Sequence, residues 1–145
     1  MKLDKNGLDL LKELEGLRLK PYLCTAGIPT IGFGNTYYID GTRVKMTDKS
    51  ITVGYAYELF MSVSKYYEDA INNNVTSEIN QHQFNALFCF CYNVGVSAFK
   101  KSTLLRYVNS YPKSLDLIHT AFLLWSGKKN VLLLRQEKQF KEYCK

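Results

Sequence analysis

No stretch of this sequence is long and apolar enough to cross a bilayer. The longest apolar runs, Ala86 to Val96 and Ala121 to Trp125, fall well short of the roughly 20 residues that a membrane helix needs. The opening Met-Lys-Leu-Asp-Lys-Asn has no apolar centre and no small-residue cleavage site, so no secretion signal is expected. Histidine is scarce. Neither His82 nor His119 stands at metal-ligand spacing from a cysteine, and no metal site or cofactor is expected. The four cysteines, Cys24, Cys89, Cys91 and Cys144, contain no Cys-x-x-Cys pair. That removes zinc knuckles and dithiol redox motifs, and in a chain without a signal the default state is the free thiol. Long linkers, repeats and low-complexity tracts are also missing, so a second domain is not expected.

What is present suits one globular domain. The chain has 145 residues, 46% hydrophobic and 22% charged, enough for a real core. Nineteen basic against thirteen acidic side chains leave a net charge of +6, which favours an anionic partner through long-range, salt-sensitive attraction. The basic residues are dispersed and doubled only at Lys100-Lys101 and Lys128-Lys129. No helical stretch carries a clustered basic face with interleaved aromatics, so nucleic-acid binding is not expected. A monomer without stable membrane association is the simplest expectation.

Leu8, Leu11 and Leu14 recur at helical spacing, with Asn6 as the expected cap, Asp9 three residues on and Gly16 as the stop. Glu15 stands at the tip of that helix. Taken alone it is most simply a solvated acid. From Leu19 to Val44 the period changes. Pro21 to Cys24, Thr30 to Phe33 and Tyr37 to Ile39 are short β-branched or aromatic runs separated by turns at Thr25-Ala26-Gly27 and Asp40-Gly41. They predict a small antiparallel sheet of about three strands, too small to stand without helices.

A long helix is expected from Thr47 or Asp48 to about Asn72. An Asn80–Gln83 capping box then opens a helix over 81–92. That helix is apolar nearly all round, so it belongs at the centre of a core, with Cys89 and Cys91 as small buried hydrophobes. Further helices are expected over 102–110, 112–125 with Pro112 in the first position, and about 128–143. Trp125, beside Phe122 and Leu124, is expected as a core anchor, and Arg135, among leucines, as half of a partly buried ion pair. A cleft between the sheet-bearing lobe and the helical lobe is the natural place for an extended ligand.

Glu15-Gly16-Leu17-Arg18, Pro21-Tyr22, Cys24, Gly27 and Thr30-Ile31-Gly32-Phe33-Gly34 together resemble the active-site signature of the phage-type lysozymes, glycoside hydrolase family 24. The family pattern is Glu, eight residues, Asp or Cys, five residues, Thr, and Glu15, Cys24 and Thr30 have that spacing. Gln81 to Gly95, followed by Ala98-Phe99 and Ser102-Thr103-Leu104-Leu105, is similar to the family's central helix and the turn after it. The two segments, in the family's order, account for nearly the whole chain.

The resemblance implies an α+β, mostly helical, two-lobed lysozyme-like fold. A small sheet-containing lobe would span about 13–60, and a helical lobe about 1–12 and 61–145. It implies an endolysin that hydrolyses the β-1,4 bonds between N-acetylmuramic acid and N-acetylglucosamine in bacterial peptidoglycan, waiting in the host cytoplasm until a holin releases it. Glu15 would be the acid, protonated through burial against apolar neighbours such as Leu14, Leu17 and Ile31. Cys24 stands where many relatives carry Asp as base or charge stabiliser. A thiol acts so only as thiolate, which nearby positive charge such as Arg18 or Lys20 favours. Thr30 would hold the attacking water. Asn35 stands where relatives often have His, and Arg135 corresponds to a last-helix arginine that approaches the active-site helix. The alternative is a catalytically impaired module that binds peptidoglycan, with Cys24 as the lesion.

Overall fold

The structure, a computed structural model, describes residues 1–125 and 130–145. In chain order the elements are α1 (Lys5–Glu15), β1 (Arg18–Leu23), β2 (Pro29–Gly32), α2 (Val53–Asn74), α3 (Gln81–Val94), α4 (Val96–Lys100), α5 (Thr103–Ser110), α6 (Leu115–Leu124) and α7 (Asn130–Tyr143). The class is the expected one: mostly helical, with a small antiparallel sheet. The chain divides into two compact units, Leu11–Lys65 on one hand and Met1–Leu10 with Tyr66–Lys145 on the other.

In the Leu11–Lys65 unit, β1 and β2 pair antiparallel with Arg18 opposite Gly32, Tyr22 opposite Thr30 and Leu23 opposite Pro29. The expected third strand does not form. Tyr37 to Ile39 contributes only an isolated bridge between Tyr37 and Arg43, because the chain turns back at once. Tyr38 N donates to Thr42 O at 2.9 Å, and Asp40 Oδ1 accepts from both the backbone N and the hydroxyl of Thr42. The Asp-Gly turn is therefore correct, but its arms are too short to ladder.

Ile31 and Asn35 exchange both backbone hydrogen bonds, at 2.8 and 2.9 Å, around a three-residue loop. Gly32 and Gly34 take φ of 66° and 94° in that loop, a region open to glycine and strained for other residues. Phe33, fully buried, packs its ring 5.2 Å from that of Tyr57 and 6.1 Å from that of Phe60, both on α2.

The long helix begins at Val53 rather than at Thr47 or Asp48. Asp48 is engaged elsewhere, its Oδ2 accepting from the Tyr38 hydroxyl at 3.0 Å and from Lys45 N at 2.8 Å. Thr52 Oγ1 caps the helix instead, accepting from Tyr55 N.

In the helical unit, α3 lies at the centre. Every residue from Phe84 to Cys91 is fully buried, as an all-round apolar helix requires. The Asn80–Gln83 capping box is present in both directions, and Gly95, at φ 86°, ends the helix. The helix α7 packs chiefly on α3 and α6, and α6 packs on α5. Pro112 does not open α6. It sits in the preceding turn, where Ser114 N donates to Tyr111 O at 2.9 Å, and the helix starts at Leu115. Trp125 is 42% exposed, so it is no interior anchor, although its ring meets Phe90 edge-on at 5.9 Å. Lys128, Lys129 and the expected first turn of the last helix lie outside the described residues.

The cap of α1 is Asp4 rather than Asn6. Asp4 Oδ1 accepts from Gly7 N at 2.9 Å and also from Asn85 Nδ2 at 2.7 Å. The long-range partner outweighs the local preference. Gly7 is buried in this junction, where an added Cβ would lie 2.6 Å from Asn85 Cγ and 2.5 Å from Leu3 Cδ1. In an exposed helix Gly→Ala stabilises by up to about 1 kcal/mol. Here Gly7→Ala is expected to destabilise by about 1–3 kcal/mol, with a lowered urea midpoint as the readout.

Candidate active site

The Leu11–Lys65 unit holds all three residues singled out from the sequence. Glu15 is the last residue of α1. The next residue, Gly16, adopts φ 70° and its N–H donates to Lys12 O at 2.9 Å, so the chain turns sharply out of the helix into β1. Cys24 follows directly on β1, and Thr30 lies within β2 opposite Tyr22.

The link between the strands is a tight hairpin. Gly27 N donates to Cys24 O at 2.8 Å and Cys24 N donates to Ile28 O at 3.1 Å, with Gly27 at φ 74°. This turn folds the backbone around the Cys24 side chain. The N–H groups of Ile28 and Ala26 hydrogen-bond the sulfur and hold the thiol below its ordinary pKa. Partial burial opposes them, while the Thr30 hydroxyl and the N–H of Cys24 itself add to the lowering. A short side chain that accepts from the N–H two residues on is the usual device of aspartate at turns. Here a half-buried thiol occupies that seat.

Thr30 is almost completely buried, and its hydroxyl donates to Ile28 O at 2.8 Å. The oxygen keeps two lone pairs. With Cys24 protonated, the S–H can donate to Thr30 Oγ1 while Thr30 gives its own hydrogen to Ile28. With Cys24 ionised, the Thr30 hydrogen can turn to the sulfur.

Tyr22 connects this pair to Glu15. Its hydroxyl is pushed above the ordinary phenol value first by burial and then by the Glu15 carboxylate. The Arg18 guanidinium opposes this and Cys24 adds to it. Glu15 and Cys24 therefore both act electrostatically on one phenol. The Arg18 guanidinium carbon lies 4.6 Å from the centre of the Tyr22 ring, in cation–π range. Positive charge thus enters the site through Arg18.

Sequence reasoning missed Tyr22 as a site residue, along with the Ala26 and Ile28 amides. Tyr22 was findable: two residues before Cys24 on a strand, it shares the face of the cysteine. The amides were not, since backbone donors leave no mark in residue identity. Asn35, where relatives often have histidine, is buried, and its Oδ1 has no hydrogen-bond partner among the described residues. Among the described residues no group of three or more His, Cys, Asp and Glu is placed to hold a metal ion, and no helix is long and apolar enough to cross a membrane.

Residues 12–139 match the sequence model of the phage lysozyme family. The chain belongs to the phage lysozymes. It is 40% identical to the endolysin of Salmonella phage P22 over 96% of its own length and 94% of the relative's. Among solved structures it is similar to an endolysin from Escherichia coli O157:H7 phage FAHEc1, at a TM-score of 0.88 and 32% identity, over 99% of this chain and 93% of that one. It is also similar to the muramidase domain of SpmX from Asticaccaulis excentricus, at a TM-score of 0.83 and 28% identity, over 99% and 98% of the two chains. The fold expected from the resemblance is thus the observed one, and the chain is a lysozyme hydrolase.

In this lysozyme the four thiols differ enough in environment to be ranked. Cys24 is expected to be alkylated first by iodoacetamide near neutral pH. Cys144, though exposed, has its thiol pushed up by partial desolvation and should follow. Cys89 and Cys91 are fully buried, and burial pushes Cys91 up to about 12, so both should react only on unfolding. Mass analysis of the labelled peptides reads the order. Faster labelling of Cys144 than of Cys24 would contradict the amide cradle.

Proposed function

We propose that this lysozyme hydrolyses the β-1,4 bond between N-acetylmuramic acid and N-acetylglucosamine in bacterial peptidoglycan. Glu15 serves as general acid toward the leaving oxygen. Cys24, as thiolate, activates water or stabilises positive charge at the sugar, and Thr30 orients the water. Glycoside hydrolysis needs two such groups flanking the scissile bond. The observation that carries this reading is the hairpin itself. It gathers a thiol held by amides and a hydroxyl into one cluster, and the Glu15 carboxylate acts on the phenol beside them. Family membership supplies the class of substrate.

Cys24 is not a lesion in this reading, because the amides that lower the thiol's pKa favour the thiolate, which would carry the negative charge that aspartate otherwise brings. For delivery to the wall, our reading is that the lysozyme accumulates in the host cytoplasm until a separate membrane pore lets it through to the peptidoglycan. The test is mass analysis of the fragments freed from purified peptidoglycan, with reducing ends assigned by borohydride reduction. New ends on muramic acid are expected. Sedimentation with the wall without any new reducing end would establish the binding module instead.

A further inference from the structure

Between Glu78 and Asp116 the chain carries no acidic residue, yet it carries Lys100, Lys101, Arg106 and Lys113. The first three of these cations line one recess of about 390 Å³ in the helical unit, together with Ser102 and Thr103. Lys100 ends α4, Lys101 lies in the turn after it, and Arg106 is on α5, with its guanidinium carbon 5.2 Å from the centre of the Tyr107 ring. Among the described residues no carboxylate is paired with any of the three.

Two polar side chains on the recess wall, Asn109 and Ser102, have defined partners. Asn109, which also lines it, is already committed, its Oδ1 accepting from Thr76 N and its Nδ2 donating to Asn74 O. Ser102 Oγ accepts from Leu105 N at 3.0 Å, which leaves its own hydroxyl hydrogen to give away. Three cations facing one hollow repel each other, and a bound anion relieves that repulsion. A carboxylate brings one charge and two oxygens. A phosphate group brings more oxygens, which suits the Arg106 fork, two ammonium groups and the hydroxyls together.

We propose that this recess binds phosphate groups of a wall-attached phosphodiester polymer, holding the lysozyme on the envelope it digests. The phosphate chemistry rests on the recess alone. The wall as its carrier rests on the proposed function.

The test uses the full chain carrying Glu15→Gln, so that no wall is digested, sedimented with Gram-positive sacculi before and after hydrofluoric acid strips their phosphodiester polymers. Combined Lys100→Gln, Lys101→Gln and Arg106→Gln is compared with an equal charge change elsewhere, Lys5→Gln, Lys45→Gln and Lys49→Gln. The recess variant is expected to lose about 10-fold in binding to unstripped sacculi, with a salt dependence shallower by about 2 in log–log slope. It should also be indifferent to stripping, while the control stays within about twofold of the parent. Equal losses in the two variants would reduce the site to net charge and overturn it. Parent binding left undiminished by stripping would overturn phosphate as the ligand, and recess-dependent binding seen only on phosphatidylglycerol vesicles would overturn the wall polymer as its carrier. None of these outcomes depends on whether the glycan is cut.

Discussion

Glu15→Gln is expected to slow the appearance of reducing ends from purified peptidoglycan by about 10²–10⁴-fold, the usual worth of a positioned general acid. Glutamine keeps the size and the hydrogen-bonding reach of glutamate but has no proton to give. The substitution leaves in place the backbone bond from Gly16 N to Lys12 O that turns the chain out of α1, so the variant should fold. A second readout tests the geometry independently of turnover. The Glu15 carboxylate raises the Tyr22 pKa, so removing its charge should lower that value in a spectrophotometric tyrosine titration. Activity within threefold of the parent would sink Glu15 as the acid. An unmoved Tyr22 would show that the two groups do not face each other.

The second large effect concerns Cys24. Cys24→Ser is expected to lose about 10²-fold or more in rate, because a serine hydroxyl does not ionise in the working range. Cys24→Asp is expected to stay within about tenfold of the parent. The carboxylate can take the same N–H groups of Ala26 and Ile28 that now hold the thiol, and aspartate is at home in such a turn.

The pH profile separates these roles further. If the ionised sulfur is the working form, activity in the parent is lost as pH falls through the Cys24 pKa, which lies below its ordinary value of 9.0. In Cys24→Asp the corresponding loss should not come until about pH 4. Initial rates from acid to mildly alkaline pH on both chains check this. Identical acid limbs would remove Cys24 from the reaction.

Much of the fold was legible because its signals are short-ranged. The apolar run from Phe84 to Cys91 and the Asn80–Gln83 box act within a few residues, and both held in space. So did the Gly16 stop and the Asp40-Gly41 turn. Misreadings arose where a distant partner outweighed a local preference. Asp4 replaced Asn6 as cap because Asn85 shares its carboxylate. Asp48 did not open α2 because the Tyr38 hydroxyl and Lys45 N already bind it. The third strand failed because a turn that closes at Thr42 leaves no length to pair.

The sequence by itself determined the spacing of Glu15, Cys24 and Thr30 and the glycines that permit their turns, since side-chain identity and backbone freedom are written residue by residue. Only the tertiary structure decided that Tyr22 stands opposite Thr30, that backbone amides rather than Lys20 hold the Cys24 thiol down, and that Lys100, Lys101 and Arg106 line one hollow. Strand register and helix packing set those neighbours across the fold, and a linear order of side chains carries no record of them.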